Sequence, residues 1–335
     1  MLIRLPNWLG DALMATPVYE NLRSYEKLIL FGPATFVNLF EDFPQVKILP
    51  YYKGNNKLNL ANLKPYKNER ALLLTNSFSS AWLFFRADFK EVMGYSTDLR
   101  GFLLTKKVNP PKEKLHQRDY YLYLIEKLGF TLKQRDLILP LKEEKILEAQ
   151  KFLKNKGIEI ERAPLILIAP GAAYGPAKKW PEDYYRKLSQ ELVKKGFNIL
   201  IVGSEGEKLL GDYIKGEAKG IYNLCGETTI TTLAGIFSLS NLLISNDSGL
   251  MHLGAALKIP QIAIFGSTDP LFTAPLNPRA IILKLNLDCS PCFKRECPKG
   301  HYNCLRSITP DEVLQKILTL PQDYFKPKNS FQNGS

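Results

Sequence analysis

Leu165-Ile166-Leu167-Ile168-Ala169 is an unbroken apolar run, and it empties into Pro170-Gly171-Ala172-Ala173-Tyr174-Gly175-Pro176-Ala177-Lys178-Lys179-Trp180-Pro181. Five apolar residues held between Pro164 and Pro170 read as a strand buried on both faces. The same rhythm continues through Asn198 to Val202, Ile221 to Leu224, Leu242 to Ser245 and Gln261 to Phe265, each separated by a helix-sized interval. Strand and helix also alternate through the first third. Leu2 to Leu5, Leu28 to Phe31, Val46 to Leu49 and Ala71 to Thr75 read as strands, with helical patterns near Ala12 to Tyr25, Thr35 to Asp42 and Leu58 to Lys64. The expected fold class is therefore α/β, with two Rossmann-like doubly wound domains.

The charged and apolar spacing of Lys142 to Lys156 predicts an amphipathic helix leading into a hinge at Glu161-Arg162-Ala163-Pro164. The expected division is residues 1–160, residues 161–325 and a polar, disordered tail over 326–335. Thr309-Pro310-Asp311-Glu312 predicts the start of a last helix, with a threonine cap, proline in the first turn and two acids favouring the helix dipole. Ligands of open α/β sheets bind beyond the carboxyl ends of the strands, so two such domains facing each other across a cleft would place the chemistry in the loops after strands.

The chain has 335 residues and a formal net charge of +12, from 45 Lys plus Arg against 33 Asp plus Glu. Its composition excludes a fibre or a disordered tail, and its charge points to an acidic partner: nucleic acid, an anionic membrane face or a phosphorylated substrate. No run approaches the roughly 18 uncharged apolar residues of a spanning helix. The amino terminus also lacks a secretory pattern, so a cytoplasmic protein is expected.

Asp11 follows Gly10 after the first strand. It reads either as a helix N-cap contributing about 1 kcal/mol or as a general base, a role contributing about 10² to 10⁴ in rate. The glycines and Lys178-Lys179 after Ala169 suit close approach of an anionic ligand, or are two solvated lysines before a helix. There is no Walker spacing and no strand leading into Gly-x-Gly-x-x-Gly, which weighs against P-loop enzymes and common dinucleotide dehydrogenases.

Asn246-Asp247-Ser248-Gly249 reads as a helix start with Asp247 or Ser248 as cap and first-turn amides open to phosphate. His252, one turn further in, is either a packed core residue or a catalyst. Gly266-Ser267-Thr268-Asp269-Pro270 is a further strand-end turn that could rim the same site. Glu205 and Glu207 stand where such folds often place an acid against a ribose, although acids at helix starts also occur for dipole reasons alone.

Cys289, Cys292, Cys297 and Cys304, with His301 nearby, could hold a structural zinc, form a redox pair or remain free thiols. Arg100, Lys106, Lys107, Lys112, Lys114 and Arg118 gather in one basic stretch, either a solvated face or a surface for an acidic acceptor or anionic bilayer.

Asn7-Trp8-Leu9-Gly10-Asp11, Asn76-Ser77-Phe78-Ser79-Ser80-Ala81, Pro170-Gly171-Ala172 with Gly175-Pro176-Ala177-Lys178-Lys179-Trp180-Pro181, and Asn246-Asp247-Ser248-Gly249-Leu250-Met251-His252 together resemble the bacterial ADP-heptose:lipopolysaccharide heptosyltransferases of glycosyltransferase family 9. The Gly-Pro-Ala-Lys-Lys-Trp-Pro form is most similar to their heptosyltransferase II branch. The resemblance implies a GT-B glycosyltransferase that moves a heptose from ADP-heptose to the first heptose of the lipopolysaccharide inner core with inversion. It implies further that no cofactor would be required, that nucleic acid would not be a partner, and that the protein would sit peripherally on the cytoplasmic leaflet of the inner membrane. It implies Asp11 as base and Lys178 as counter-charge to the leaving diphosphate. Gly175, Asp247, Ser248, Gly249 and His252 would lie around the donor, with Glu207 at the ribose and Thr228 at the adenine. Asn7, Arg100, Lys106 and Lys107 would face the lipid A-linked acceptor. The alternatives are a related transferase with another heptose acceptor or nucleotide-sugar donor, and a non-catalytic protein that binds anionic lipid.

Overall fold

A computed structural model describes residues 1–326 and divides them into two units, one over Met1–Pro140 and one from Leu141 onward. The part of the expected tail from residue 327 lies outside the described residues.

The first unit holds six parallel strands, β1 (Leu2–Arg4), β2 (Leu28–Pro33), β3 (Val46–Tyr51), β4 (Arg70–Leu73), β5 (Glu91–Tyr95) and β6 (Lys106–Val108), in the order β3-β2-β1-β4-β5-β6. The second repeats the plan with β7 (Leu165–Ala169), β8 (Asn198–Ile201), β9 (Ile221–Asn223), β10 (Leu242–Asn246), β11 (Gln261–Phe265) and β12 (Ala280–Lys284), in the order β12-β11-β10-β7-β8-β9. Both are doubly wound sheets. In each, the strand order reverses at one point: between β1 and β4 in the first, and between β7 and β10 in the second.

Burial on both faces explains why the central strands are apolar throughout. Every residue of β7 and β11 is buried, and Ile166, Ile168, Ile199, Ile201, Ile244 and Ile264 pack with Trp180, Tyr185 and the last helix, Pro310–Leu318. Thr309 caps that helix, as the sequence predicts, and Glu312 goes beyond the expected dipole role by closing a capping box.

Two boundaries differ from expectation. The single helix expected from Ala12 to Tyr25 is broken into Leu9–Met14 and Thr16–Arg23. Pro17 has no N–H for the Leu13 carbonyl, and the Thr16 hydroxyl takes that carbonyl instead at 2.8 Å. The division between units falls after Pro140 rather than at Glu161–Pro164. Helix Glu143–Asn155 belongs to the second unit because it packs tightly on helix Ile230–Ser238, where a Cβ on Gly235 would lie 2.6 Å from both the Ala149 Cβ and the Lys145 carbonyl. The segment before it is tied to the first unit: Lys133 N–H donates to Asn21 Oδ1 and Ile138 N–H to Thr16 Oγ1.

Candidate active site

The reversal in the second sheet separates β7 from β10, and the loops leaving these two strands carry the densest polar arrangement of that unit. Asn246, the last residue of β10, ties them together. Its Oδ1 accepts from the Trp180 N–H and the Tyr185 hydroxyl, each at 3.0 Å, and its Nδ2 donates to the Pro170 carbonyl at 2.7 Å. This clamp brings Lys178 to Asp247. Lys178 Nζ lies 2.5 Å from Asp247 Oδ2, with the two side chains only 12% and 4% exposed. The same carboxylate oxygen accepts from Thr268 Oγ1 at 2.7 Å and Thr273 Oγ1 at 3.4 Å, and the ammonium also stands 4.9 Å above the Tyr174 ring. Asp247 is therefore not the helix cap. Its carboxylate aims a lysine.

Ser248 occupies the N-cap position of helix Gly249–Ala256 but makes no side-chain capping bond. Among the described residues its buried Oγ has no hydrogen-bond partner, and neither has that of Ser267 in the turn after β11. An orphaned Ser248 hydroxyl at an uncapped helix start, next to the Asp247 that pairs with Lys178, has the chemistry to meet an anion with several oxygens. His252 is buried one turn into that helix.

Gly175 is demanded by sterics. At φ +152° its missing Cβ would fall 2.5 Å from the Arg295 carbonyl, which accepts from the Ala177 N–H at 3.0 Å. The cysteine-bearing segment is thus stitched onto the Lys178 loop. The Tyr174 hydroxyl donates to the Phe293 carbonyl at 2.7 Å, the Phe293 N–H donates to the Ser267 carbonyl at 2.7 Å, and Arg295 stands 5.6 Å from the Tyr174 ring. Arg295 does not stand out in the sequence as a support for the Lys178 loop, because its contacts there span more than a hundred residues, whereas Tyr174 meets Lys178 across only four.

Glu207 follows β8. Its Oε2 accepts from the Ser204 N–H at 2.6 Å and the Ser204 hydroxyl at 2.8 Å, a capping box that fixes the side chain. The carboxylate lies where a Cβ on Gly171 would collide at 1.5 Å, so it stands at the joined ends of β7 and β8. Thr228 lies beyond β9, one strand further, just before Thr229 caps helix Ile230–Ser238. Read across the sheet, Ser248, Lys178, Glu207 and Thr228 follow β10, β7, β8 and β9 in spatial order. These are three strand spacings, about 14 Å.

In the first unit the reversal lies between β1 and β4. Asp11 sits in the first turn of helix Leu9–Met14, whose N-cap position belongs to Trp8, so the capping reading of Asp11 does not hold. Burial first, and then the negative field of Asp11, push the buried Tyr19 and Tyr121 phenols well above their ordinary range. Asn7 Oδ1 accepts from Arg4 at 2.6 Å.

Arg100, expected to face the acceptor, lies in the interior of the first unit, with its Nη2 unpartnered among the described residues. It is fully buried, and it donates to the carbonyls of Tyr95 at 2.9 Å and Thr75 at 2.5 Å. Carbonyls at the ends of β4 and β5 need donors, and a guanidinium fork supplies several at once. Lys106 and Lys107 stand exposed on the edge strand β6, Lys106 paired with Glu91 at 2.8 Å.

None of the five cysteines is in a disulfide, and among the described residues no group of three or more His, Cys, Asp or Glu is arranged to hold a metal ion. The sulfurs and His301 as placed do not fit a zinc site.

The profile of glycosyltransferase family 9 (heptosyltransferase) matches residues 60–303. The chain belongs to glycosyltransferase family 9. This glycosyltransferase is 29% identical over 335 residues to the lipopolysaccharide heptosyltransferase 2 of Salmonella typhimurium, covering 94% of the chain and 96% of the relative. It is 32% identical over 328 residues to the lipooligosaccharide heptosyltransferase 2 of Campylobacter jejuni, covering 95% and 98%. Its fold matches the solved structure of the E. coli ADP-heptose lps heptosyltransferase II at a TM-score of 0.81 and 27% identity, covering 95% and 97%. The doubly wound sheets of the family 9 chain are thus those of the GT-B class.

Proposed function

We propose that the chain transfers L-glycero-D-manno-heptose from ADP-heptose to the first heptose of the lipopolysaccharide inner core, inverting the anomeric carbon. The observation that carries this reading is the ordered row of Ser248, Lys178, Glu207 and Thr228 along the carboxyl ends of β10, β7, β8 and β9. Its length and chemistry suit the diphosphate, ribose and adenine of the donor. Full-length likeness to heptosyltransferases 2 supports the choice of acceptor.

In the proposed reaction the acceptor hydroxyl oxygen bonds to the anomeric carbon while its proton passes to the Asp11 carboxylate. The anomeric carbon–oxygen bond to ADP breaks, and its electron pair leaves on the diphosphate. Positive charge at Lys178 and the amides after Ser248 stabilise that leaving group as its charge develops. Asp247 acts through Lys178 by holding the ammonium in place. No metal takes part.

The test is incubation with ADP-heptose and a deep-rough lipopolysaccharide bearing one heptose, in EDTA, followed by mass spectrometry. One added heptose is expected. Robust turnover of a UDP-sugar in place of ADP-heptose overturns the reading, and transfer that appears only after a divalent cation is supplied overturns its metal-free part. Asp11→Asn is expected to lower turnover by about 10² to 10⁴ while ADP binding, measured by calorimetry, is preserved.

We further propose that the enzyme works on the cytoplasmic surface of the inner membrane, touching the leaflet through its first unit. The support is an exposed aromatic ridge on helix Phe78–Arg86, where Phe78 stacks on Trp82 at 6.2 Å and Trp82 on Phe85 at 5.3 Å, with Phe102 alongside. Among the described residues no helix is long and apolar enough to cross a membrane.

A further inference from the structure

Two cations share one aromatic ring beside the donor loop. The Tyr174 ring centre lies 4.9 Å from Lys178 Nζ and 5.6 Å from the Arg295 guanidinium carbon, both inside the roughly 6 Å range over which a ring attracts a cation. The ring is pinned, because the Tyr174 hydroxyl donates to the Phe293 carbonyl at 2.7 Å. Arg295 is fixed at its backbone. Its carbonyl accepts from the Ala177 N–H at 3.0 Å, and a Cβ on Gly175 would lie 3.1 Å from the Arg295 Cβ. Ser267 joins the same two segments: its N–H donates to the Ala177 carbonyl at 3.3 Å and its carbonyl accepts from Phe293. Its hydroxyl, on a residue 1% exposed, has no partner among the described residues.

The two cations differ in the charge they have left to offer. Lys178 is already paired with Asp247 at 2.5 Å, so an arriving diphosphate meets an ammonium and a carboxylate together, and their fields largely cancel. Arg295 is exposed and pairs with no carboxylate among the described residues, so its whole charge remains available. A guanidinium also offers phosphate oxygens two parallel donors, which an ammonium does not.

We propose that Arg295 binds the diphosphate of the nucleotide sugar and supplies the net positive charge that the Lys178–Asp247 pair lacks, with Tyr174 and Gly175 positioning it. The proposal deepens the heptosyltransferase reading and rests on it for the identity of the nucleotide. When the bond to the anomeric carbon breaks, the diphosphate gains negative charge. An unpaired cation therefore stabilises ADP, and the transition state leading to it, more than the intact donor. The segment from Cys289 to Cys304 thereby acquires a task, which is to deliver Arg295 to the loop after β7.

The test titrates the whole protein by calorimetry with ADP, with ADP-heptose and, in competition with ADP, with adenosine, which carries no phosphate. Arg295→Gln changes an exposed side chain and keeps the backbone bond to Ala177. It is expected to weaken ADP about tenfold, the equivalent of about 1.4 kcal/mol, to weaken ADP-heptose less, and to leave adenosine unchanged. Rising salt is expected to weaken ADP less steeply in this variant than in the wild type, since one attractive charge fewer is screened. Arg295→Lys keeps the charge and is expected to recover most of the lost affinity for ADP. With acceptor present, Arg295→Gln is expected to lower kcat/KM for ADP-heptose by about tenfold or more while the acceptor KM stays the same.

Unchanged ADP binding in Arg295→Gln, equal weakening of ADP and adenosine, or an Arg295→Lys variant no better than Arg295→Gln overturns the proposal. Should Arg295→Gln weaken ADP but not adenosine while the wild-type protein transfers no heptose, the diphosphate contact stands and the transferase reading falls.

Discussion

Lys178 shows how a residue type acquires a chemical task from its neighbours. A surface lysine would be a solvated point charge, but here the ammonium is nearly buried between the Asp247 carboxylate and the Tyr174 ring. Lys178→Ala is expected to cut turnover by about 10² to 10³, the usual cost of removing one group that stabilises a leaving or developing anion. Asp247→Asn keeps the cation and loses its aim, so steady-state kinetics should show a smaller fall, with ADP binding retained or strengthened as a nearby negative charge disappears.

The cysteines separate by environment in the same way. Burial, followed by the negative field of Glu207, pushes the Cys225 thiol up to about 12. At Cys297 desolvation, the largest single cause, raises the thiol, but the backbone groups of Tyr302, Lys299, His301 and Gly300 together outweigh it and hold the thiol below its ordinary value. The thiolate is the reactive form, and a lower pKa means more of it at neutral pH. Substoichiometric iodoacetamide at pH 7, read by peptide mass spectrometry, should therefore label Cys297 before Cys304, whose thiol is raised by burial and by the other three cysteines, and label Cys225 last.

Among the elements, the loop from Pro170 to Pro181 depends on partners remote in sequence. Gly175 is the point where a side chain cannot be added without moving the Arg295 carbonyl. Gly175→Ala is expected to weaken ADP binding by at least tenfold in calorimetry while the melting temperature falls only slightly, because the strain is confined to the loop. Asn246 is different, since it is buried and serves the Trp180, Tyr185 and Pro170 partners together. Asn246→Ala leaves those groups unsatisfied, and chemical denaturation should record a loss of about 2–3 kcal/mol.

The strands absent from the sequence reading are β5, β6 and β12. β5 carries Glu91 and Gly94, β6 is three residues with two lysines, and β12 is an edge strand that is nowhere fully buried. Such segments lack the apolar run that marks a strand covered on both faces.

For the molecule as a whole, the net charge of +12 and the aromatic ridge on helix Phe78–Arg86 bear on where the enzyme works. Each basic side chain close to an anionic leaflet contributes about 1 kcal/mol, and exposed aromatic rings add an apolar, salt-insensitive part. Co-sedimentation with vesicles containing anionic phospholipid should show binding that falls as salt rises. Phe85→Ser combined with Phe102→Ser should lower the binding that remains at high salt. Equal binding of that variant and the wild type would remove the ridge from the membrane contact.

Strand and helix periods are local, so the α/β class, the loops that carry Asp11, Lys178 and Ser248, and the cap at Thr309 could all be read along the chain. Hydrogen bonds and ion pairs between segments are not local, and only the tertiary structure decided them. It placed Arg100 in the core because strand-end carbonyls needed donors there, moved the division between units to Pro140 because Gly235 lets helix Glu143–Asn155 pack against its neighbour, and turned Asp247 from a cap into the partner of Lys178. A residue's type limits what it can do, but the charges and surfaces brought against it from distant parts of the chain select which of those things it does.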